Sequence, residues 1–428
     1  MTEPSSRIGF HYFPDDQHFT QSDLEAWLPI LQSLEARWLV VQAGLGRAVP
    51  ESFLRSLVSA GIQPIIRIPA QVTRVPEPDL TPVLNSYAVW GVRHVIVFDK
   101  PNLRASWAAS EWSRPALVER FLDLVLPILL AERASGLVPV LPPLEPGGDY
   151  WDTAFLAAIF EGLQRRGQAG LLQELALAVY AYTHRRPLDW GKGGPARWPE
   201  ARPYHTPEGA QDQRGLRAFD WYAAVADAAG LPQLPMLVVA GGALPGDGQA
   251  GFGPDAHAEE NTSVLRALTT GEIPASITNF AFYLLTAAAG SPEQSAAWFP
   301  TLASPRPVVD AFRRALTAKG KQVPGKEKPI RHYLLLPSSR GASLLQEWGP
   351  LAEFMAAHHP ALGFSPLEAQ LATRVTLAGD EASIPRPVEE QLIAAGCAVD
   401  RFVPGTSDVE MSRSSSRPVA KSLAEAGF

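Results

Sequence analysis

The sequence predicts an α/β protein: a (β/α)8 TIM barrel followed by a small α/β domain. Three observations carry this expectation. Short β-branched apolar runs alternate with longer stretches of helical periodicity, the pattern of a parallel sheet. Eight such runs fall within roughly the first 320 residues, the size of a decorated barrel. A charged, Pro- and Gly-containing stretch at 321–329 then separates them from a shorter set of the same kind.

The eight runs are 8–13, 38–42, 64–68, 94–98, 138–141, 175–182, 236–239 and 277–285. Helix starts stand between them. Ser22 with Glu25 predicts a capping box, Pro50 and Glu51 open the next helix, and Arg114-Pro115 opens a long one through Ala134. Glycines at the expected stops are Gly61, Gly91, Gly136, Gly167, Gly230 and Gly320. The barrel is expected over 1–320, a linker over 321–329 and the small domain over 330–404. In that domain strands are expected at 332–336, 374–378 and 399–403, with helices at 344–359 and 387–395. Residues 405–428 have little apolar content and are expected to form a flexible tail.

With 46% hydrophobic and 19% charged residues, the 428-residue chain has material for one large core and a small accessory domain. The net charge of -7 is spread without a basic block, which excludes the electrostatic footprint of a nucleic-acid binder. The single cysteine, Cys397, excludes an intrachain disulfide and a thiolate metal cluster; it reads as a buried core thiol and fits a reducing compartment. The N-terminus shows no basic region, apolar core and cleavage site, so the expected location is cytoplasmic. The longest apolar stretch, 122–130, contains Asp123 and Pro127 and is too short for a membrane span. Neither His205, His257 nor the other histidines have metal-ligand spacing, so no metal and no cofactor is called for.

A TIM barrel builds its sites at the C-terminal ends of the strands. There the sequence places His11, Asp15 and Asp16 after the first run, Arg67 after the third, and Asp99, Lys100, Asn102 and Trp107 after the fourth. Glu145, Asp149, Tyr150 and Trp151 follow the fifth; Tyr180, Tyr182, His184, Asp189 and Trp190 close the sixth; Tyr283 and Trp298 belong to the eighth. Phenol and indole platforms interleaved with Asp, Asn, Arg and His suit a sugar, which offers flat C–H faces and many hydroxyls. The Gly-rich stretch 241–253 reads as a lid over such a pocket.

Phe98-Asp99-Lys100-Pro101-Asn102-Leu103, running on to Trp107, resembles the Asn-Glu-Pro-Asn-Leu motif that ends the fourth strand of clan A glycoside hydrolases. Leu237-Val238-Val239-Ala240-Gly241-Gly242 is similar to their strand-seven Thr-Glu-Gly-Gly motif, and Val179-Tyr180-Ala181-Tyr182 to the His-Asn-Tyr pattern of strand six. The resemblance covers roughly residues 5–320 and implies a barrel whose fourth strand carries a general acid/base Glu and whose seventh carries a nucleophile. Retaining hydrolysis needs two carboxyl groups roughly 5 Å apart. At the matching positions this chain has Lys100 and Ala240, and the Asn and His of the motifs are Asp99 and Tyr180.

The sequence therefore implies a glycoside-hydrolase-like barrel without an intact catalytic pair, binding a carbohydrate or small polar ligand. Lys100 is expected to pair with Asp99 in the space the acid/base would fill. Two alternatives stay open: a glycosidase rebuilt on Asp99 and Glu145, or a protein-binding scaffold with a vestigial pocket. In the C-terminal part, Arg374-Val375-Thr376-Leu377-Ala378-Gly379, with 388–392 and 396–401, resembles a bacterial cell-wall-binding repeat. One copy implies only a small α/β fold, for which packing, a homo-oligomer contact or a protein partner is the expected role.

Overall fold

The computed structural model describes residues 6–72, 79–245, 253–321, 328, 330–337, 354–356 and 359–402. By contacts the chain divides into two compact units, 1–318 and 319–428.

In the first unit the strands are β1 (Ile8–His11), β2 (Trp38–Gln42), β3 (Gln63–Ile68), β4 (His94–Val97), β5 (Val140–Leu141), β6 (Ala176–Tyr182), β7 (Met236–Gly242) and β8 (Ile277–Phe282). Each is followed by a helix: α1 (Gln21–Ser33), α2 (Glu51–Ser59), α3 (Thr81–Val89), α4 (Leu117–Ala134), α5 (Asp152–Arg165), α6 (Ala218–Ala228), α7 (Pro254–Thr270) and α8 (Pro307–Lys321). All neighbouring strands pair in parallel, in the order β4-β3-β2-β1-β8-β7-β6-β5. A parallel bridge between His94 and Val138, with the Val138 amide 3.0 Å from Arg93 O, joins the two ends into a barrel. The expected (β/α)8 barrel is what the chain forms.

Alternation along the strands explains why they read as unbroken apolar runs: both faces are covered. Phe10, Leu39, Val41, Ile66, Val95, Val97, Val179, Val238 and Phe282 pack outward with the helices. Trp38, Val40, Ile65, Ile96, Val140, Ala178, Tyr180, Leu237, Val239 and Ala281 form a separate inner layer. Trp38 fills the floor because β1 has Gly9 beside it; a Cβ on Gly9 would come within 2.8 Å of the Trp38 Cβ.

Local differences from expectation are informative. The α1 box is formed by Thr20 and Asp23, not by Ser22 and Glu25: Thr20 Oγ1 accepts from the Asp23 amide at 3.1 Å, and Asp23 Oδ2 accepts from the Thr20 amide at 2.8 Å. This register places Phe19 and Leu24, the residues of a hydrophobic staple, in the core. Helix α4 starts at Leu117 because Ala116 takes a left-handed conformation, φ 57°. Strand β5 is shorter than the apolar run that announces it, and β7 extends to Gly242.

The second unit contains a four-stranded parallel sheet in the order β10-β9-β11-β12, with β9 at Ile330–Leu335, β10 at Ala361–Gly363, β11 at Ala372–Ala378 and β12 at Ala398–Phe402. The short helix α9 (Pro366–Ala369), α10 (Arg386–Ala394) and helical residues 354–356 are described with it. Tyr333, Leu335, Val375, Leu377, Leu392 and Cys397 form its core, the cysteine as a buried free thiol. The expected small α/β fold is present, with β10 an element the sequence did not announce. Most of the expected helix 344–359, most of the linker 321–329 and the whole tail 405–428 lie outside the described residues. Among the described residues no helix is long and apolar enough to cross a membrane.

Candidate functional site

Inside the C-terminal mouth of the barrel, Arg67 is the centre of a polar cluster. It is buried at the end of β3, pointing inward. Its Nη1 donates to His11 Nε2 at 3.0 Å, and its Nη2 donates to the Tyr180 hydroxyl at 2.9 Å and lies 3.0 Å from Asp99 Oδ1. The Tyr180 hydroxyl in turn donates to Asp99 Oδ1 at 2.6 Å. A guanidinium only donates, so His11 Nε2 must be an acceptor and Nδ1 carries the proton, donating to Tyr12 O at 3.0 Å. Burial, helped by the Arg67 charge, pushes the His11 pKa down to about 3, so the ring is neutral. Burial likewise raises the Tyr180 and Tyr182 phenols well above their usual range.

The mouth is lined by rings. Tyr180 and Tyr182 stack at 5.9 Å, Tyr182 meets Tyr283 edge-on at 6.0 Å, and Tyr283 meets His11 at 5.1 Å. His184 stands beside Tyr182 at 5.7 Å and is exposed.

Asp99 and Lys100 are presented by a tight turn after β4. Phe98 and Lys100, on either side of Asp99, are both left-handed, φ 73° and 48°. That conformation costs an L-residue roughly 1–2 kcal/mol, and strain of this kind collects at functional positions. Hydrogen bonds hold it: the Lys100 amide donates to Pro143 O at 3.0 Å, and Ser106 Oγ lies 3.0 Å from Asp99 O and 2.8 Å from Lys100 O. No motif marks Ser106 in the sequence.

Lys100 pairs with Glu145 at 2.7 Å rather than with the expected Asp99, and its ammonium sits 4.7 Å from the centre of the Tyr180 ring. The turn sends the two side chains to different partners, because Asp99 is already taken by Arg67 and Tyr180. Asp99, Lys100 and Glu145 keep 27%, 31% and 33% of their side chains exposed, so these three form the polar surface of the mouth. Ala240 lies on β7 directly beside Tyr180 on β6, fully buried in the inner layer. The position matched to a nucleophile therefore presents a methyl group.

Three expected ligand contacts serve other purposes. Asn102 is fully buried: its Nδ2 donates to Glu145 O at 2.9 Å and Tyr150 O at 3.0 Å, and its Oδ1 accepts from the Glu145 amide at 2.9 Å. It clamps the β5–α5 loop that presents Glu145. Trp107 is buried with its indole N–H on Pro101 O at 2.7 Å. Trp190 belongs to the long β6–α6 connection, where it donates to Asp212 Oδ1 at 3.2 Å and lies 4.4 Å from the Arg186 guanidinium. Asp212 also accepts from Arg186 at 2.9 Å, Thr206 at 2.9 Å and Arg214 Nε at 2.8 Å, and so organises that connection. Buried Trp298 packs at 5.2 Å from Phe10, in the outer core. Asp15 turns to His18 at 2.8 Å and Asp16 to Gln17, on the surface. Residues 246–252 of the expected lid lie outside the described residues. Among the described residues no three His, Cys, Asp or Glu side chains are grouped to hold a metal ion.

No family model matches the sequence, and no curated protein matches it. Solved structures similar to the chain include a monomeric β-xylosidase from Caulobacter crescentus CB15, 11% identical over 74% of this chain and 69% of that one, TM-score 0.46. A GH128 (subgroup II) endo-β-1,3-glucanase from Sorangium cellulosum is 14% identical over 72% of this chain and 98% of that one, TM-score 0.42. An L-ribulose 3-epimerase is 12% identical over 74% and 94%, TM-score 0.40. Glycoside hydrolases thus stand among the structural neighbours; the barrel fold itself follows from the strand order and closure described above.

Proposed function

We propose that the barrel binds a carbohydrate or a similar polyhydroxylated ligand at its C-terminal mouth and does not hydrolyse it by the retaining mechanism. One observation carries this reading: Lys100 and Ala240 occupy the two positions where a carboxyl pair would be needed, and the lysine is engaged with Glu145 at 2.7 Å. An alanine cannot attack an anomeric carbon, and an ammonium held by a carboxylate is a poor proton donor at neutral pH. What is left suits recognition. Tyr182 and Tyr283 offer ring edges and faces, while Asp99, Lys100 and Glu145 offer partly exposed acceptors and donors of both signs. Counted with the Arg67 guanidinium behind Asp99, these charges balance, which favours a neutral ligand over a strongly anionic one. The single buried cysteine fits an intracellular setting for this binding.

The test pairs thermal-shift measurements against mono- and oligosaccharides with hydrolysis assays on chromogenic glycosides, since a ligand specific to the folded state raises Tm. Stabilisation without turnover is the expected result. Turnover abolished by Asp99→Asn or Glu145→Gln would replace this reading with that of a glycosidase rebuilt on those carboxylates. Silence in both assays would leave a scaffold that binds a protein partner.

A further inference from the structure

Tyr204 lies in the 183–217 connection between β6 and α6, and 65% of its surface is open to solvent. The ring is nevertheless held in place. Its hydroxyl accepts from the Trp151 amide at 2.8 Å and lies 3.3 Å from Asp149 O, to which it donates. The Trp151 indole backs it at 5.4 Å, and an Arg202–His205 bridge fixes the backbone on either side. Its φ of 61° is left-handed, which costs a bulky residue roughly 1–2 kcal/mol. Both the donor and an acceptor of the hydroxyl are spent on backbone, so the group offered to solvent is the flat face of the ring.

Leaving a fixed aromatic face exposed forgoes the burial that ordinarily stabilises it, and backbone strain of this kind collects at ligand clamps. The position has a direction as well. Asp149 is on the same loop as Glu145, and the Gly148 amide bonds back to Glu145 O at 3.0 Å in a tight turn. Through its hydroxyl the platform is thus tied to the same loop that carries Glu145.

We propose that Tyr204, backed by Trp151, is the stacking platform of a second subsite, which takes a further sugar ring of an oligosaccharide whose first ring occupies the barrel mouth. The inference rests on the carbohydrate-binding reading above and extends it: the ligand is a chain of sugars, held at two places on one rim. Arg214 edges the platform; it lies 5.9 Å from the Trp151 ring and is fixed by Asp212, so it can donate to ring hydroxyls without first losing much freedom.

The test is titration calorimetry of the full chain with β-1,4-xylo-, β-1,3-gluco- and β-1,4-manno-oligosaccharides of one to six units, repeated on Tyr204→Ala and Tyr204→Phe. The expected result is affinity that rises with length for at least one series. Tyr204→Ala is expected to remove roughly tenfold of that gain while single sugars bind as before. Tyr204→Phe keeps the ring but loses the two backbone bonds that fix it, so it is expected to retain more of the gain than Tyr204→Ala and less than wild type. Single sugars binding as tightly as long ones, Tyr204→Ala leaving the gain intact, or Tyr204→Phe losing as much as Tyr204→Ala would each overturn the second subsite and leave the mouth standing. No binding by any series would overturn the carbohydrate reading and the subsite with it.

Discussion

Arg67 Nη1 donates to His11 Nε2 across 3.0 Å in the interior of the barrel. A permanent cation pressed against an imidazole requires that the imidazole stay neutral, and burial enforces the same state. The pair thus fixes one tautomer of His11 and one orientation of Arg67, which in turn aims Asp99 and Tyr180. The polar floor of the mouth is a single connected unit, and its members should respond to change together.

Stability should fall as the pH drops below about 6.5. Burial lowers His11 and His94 to about 3 and His257 to about 4, so the unfolded chain binds more protons than the native one between those values and 6.5. With the unfolded state the better proton acceptor, stability rises with pH across this window and is lost as pH falls through it. Each histidine is expected to cost about 2–3 kcal/mol between pH 7 and 4.5. Chemical denaturation of wild type and His94→Gln at both pH values checks it; equal losses in the two proteins would contradict the assignment.

Arg67→Met should destabilise the fold by roughly 3 kcal/mol, because it strips the partner from Asp99 and leaves His11 Nε2 without a donor. It should also raise the pKa of His11, since the charge that opposes its protonation is gone. Denaturation gives the first quantity and an NMR titration of the imidazole the second.

Ala240→Glu is not expected to create a nucleophile. The site is fully buried beside Tyr180 in the inner layer, so a carboxylate there loses its hydration without gaining a partner. A loss of roughly 3 kcal/mol or more and no glycosidase activity are expected; a stable variant with activity would show that the pocket accommodates a nucleophile at this position.

Asn102→Ala should loosen the β5–α5 loop rather than remove a ligand contact. Three hydrogen bonds to backbone are lost; Glu145 O keeps the Gly148 amide, whereas Tyr150 O and the Glu145 amide lose the partner described above, for roughly 2–3 kcal/mol. Hydrogen exchange should quicken at 145–151 while remaining unchanged in β1 to β3.

Much of the fold was legible in the sequence because the barrel's strands are buried on both faces, so their β-branched runs stand out whatever their partners. Trp38–Gln42 is read to the residue for this reason. The cap of α1 was misplaced because Thr20 and Ser22 offer overlapping patterns, and the burial of Phe19 and Leu24 decides between them. Strand β5 was overestimated because apolar Val138 makes only a bridge to His94 before the regular ladder begins.

For the site, the sequence by itself determined which chemical groups stand at the strand ends, Lys100 and Ala240 among them. Which of those groups meet was decided only by the tertiary fold. Two left-handed residues around Asp99 separate it from its sequence neighbour Lys100, giving one to Arg67 on β3 and the other to Glu145 after β5. Asn102 was withdrawn from the surface in the same way, by loop carbonyls 43 and 48 residues further along the chain. Local pattern reports composition and periodicity, whereas hydrogen bonding at a barrel mouth joins strands distant in sequence. Pairing there follows from backbone dihedrals and burial that no short window of residues encodes.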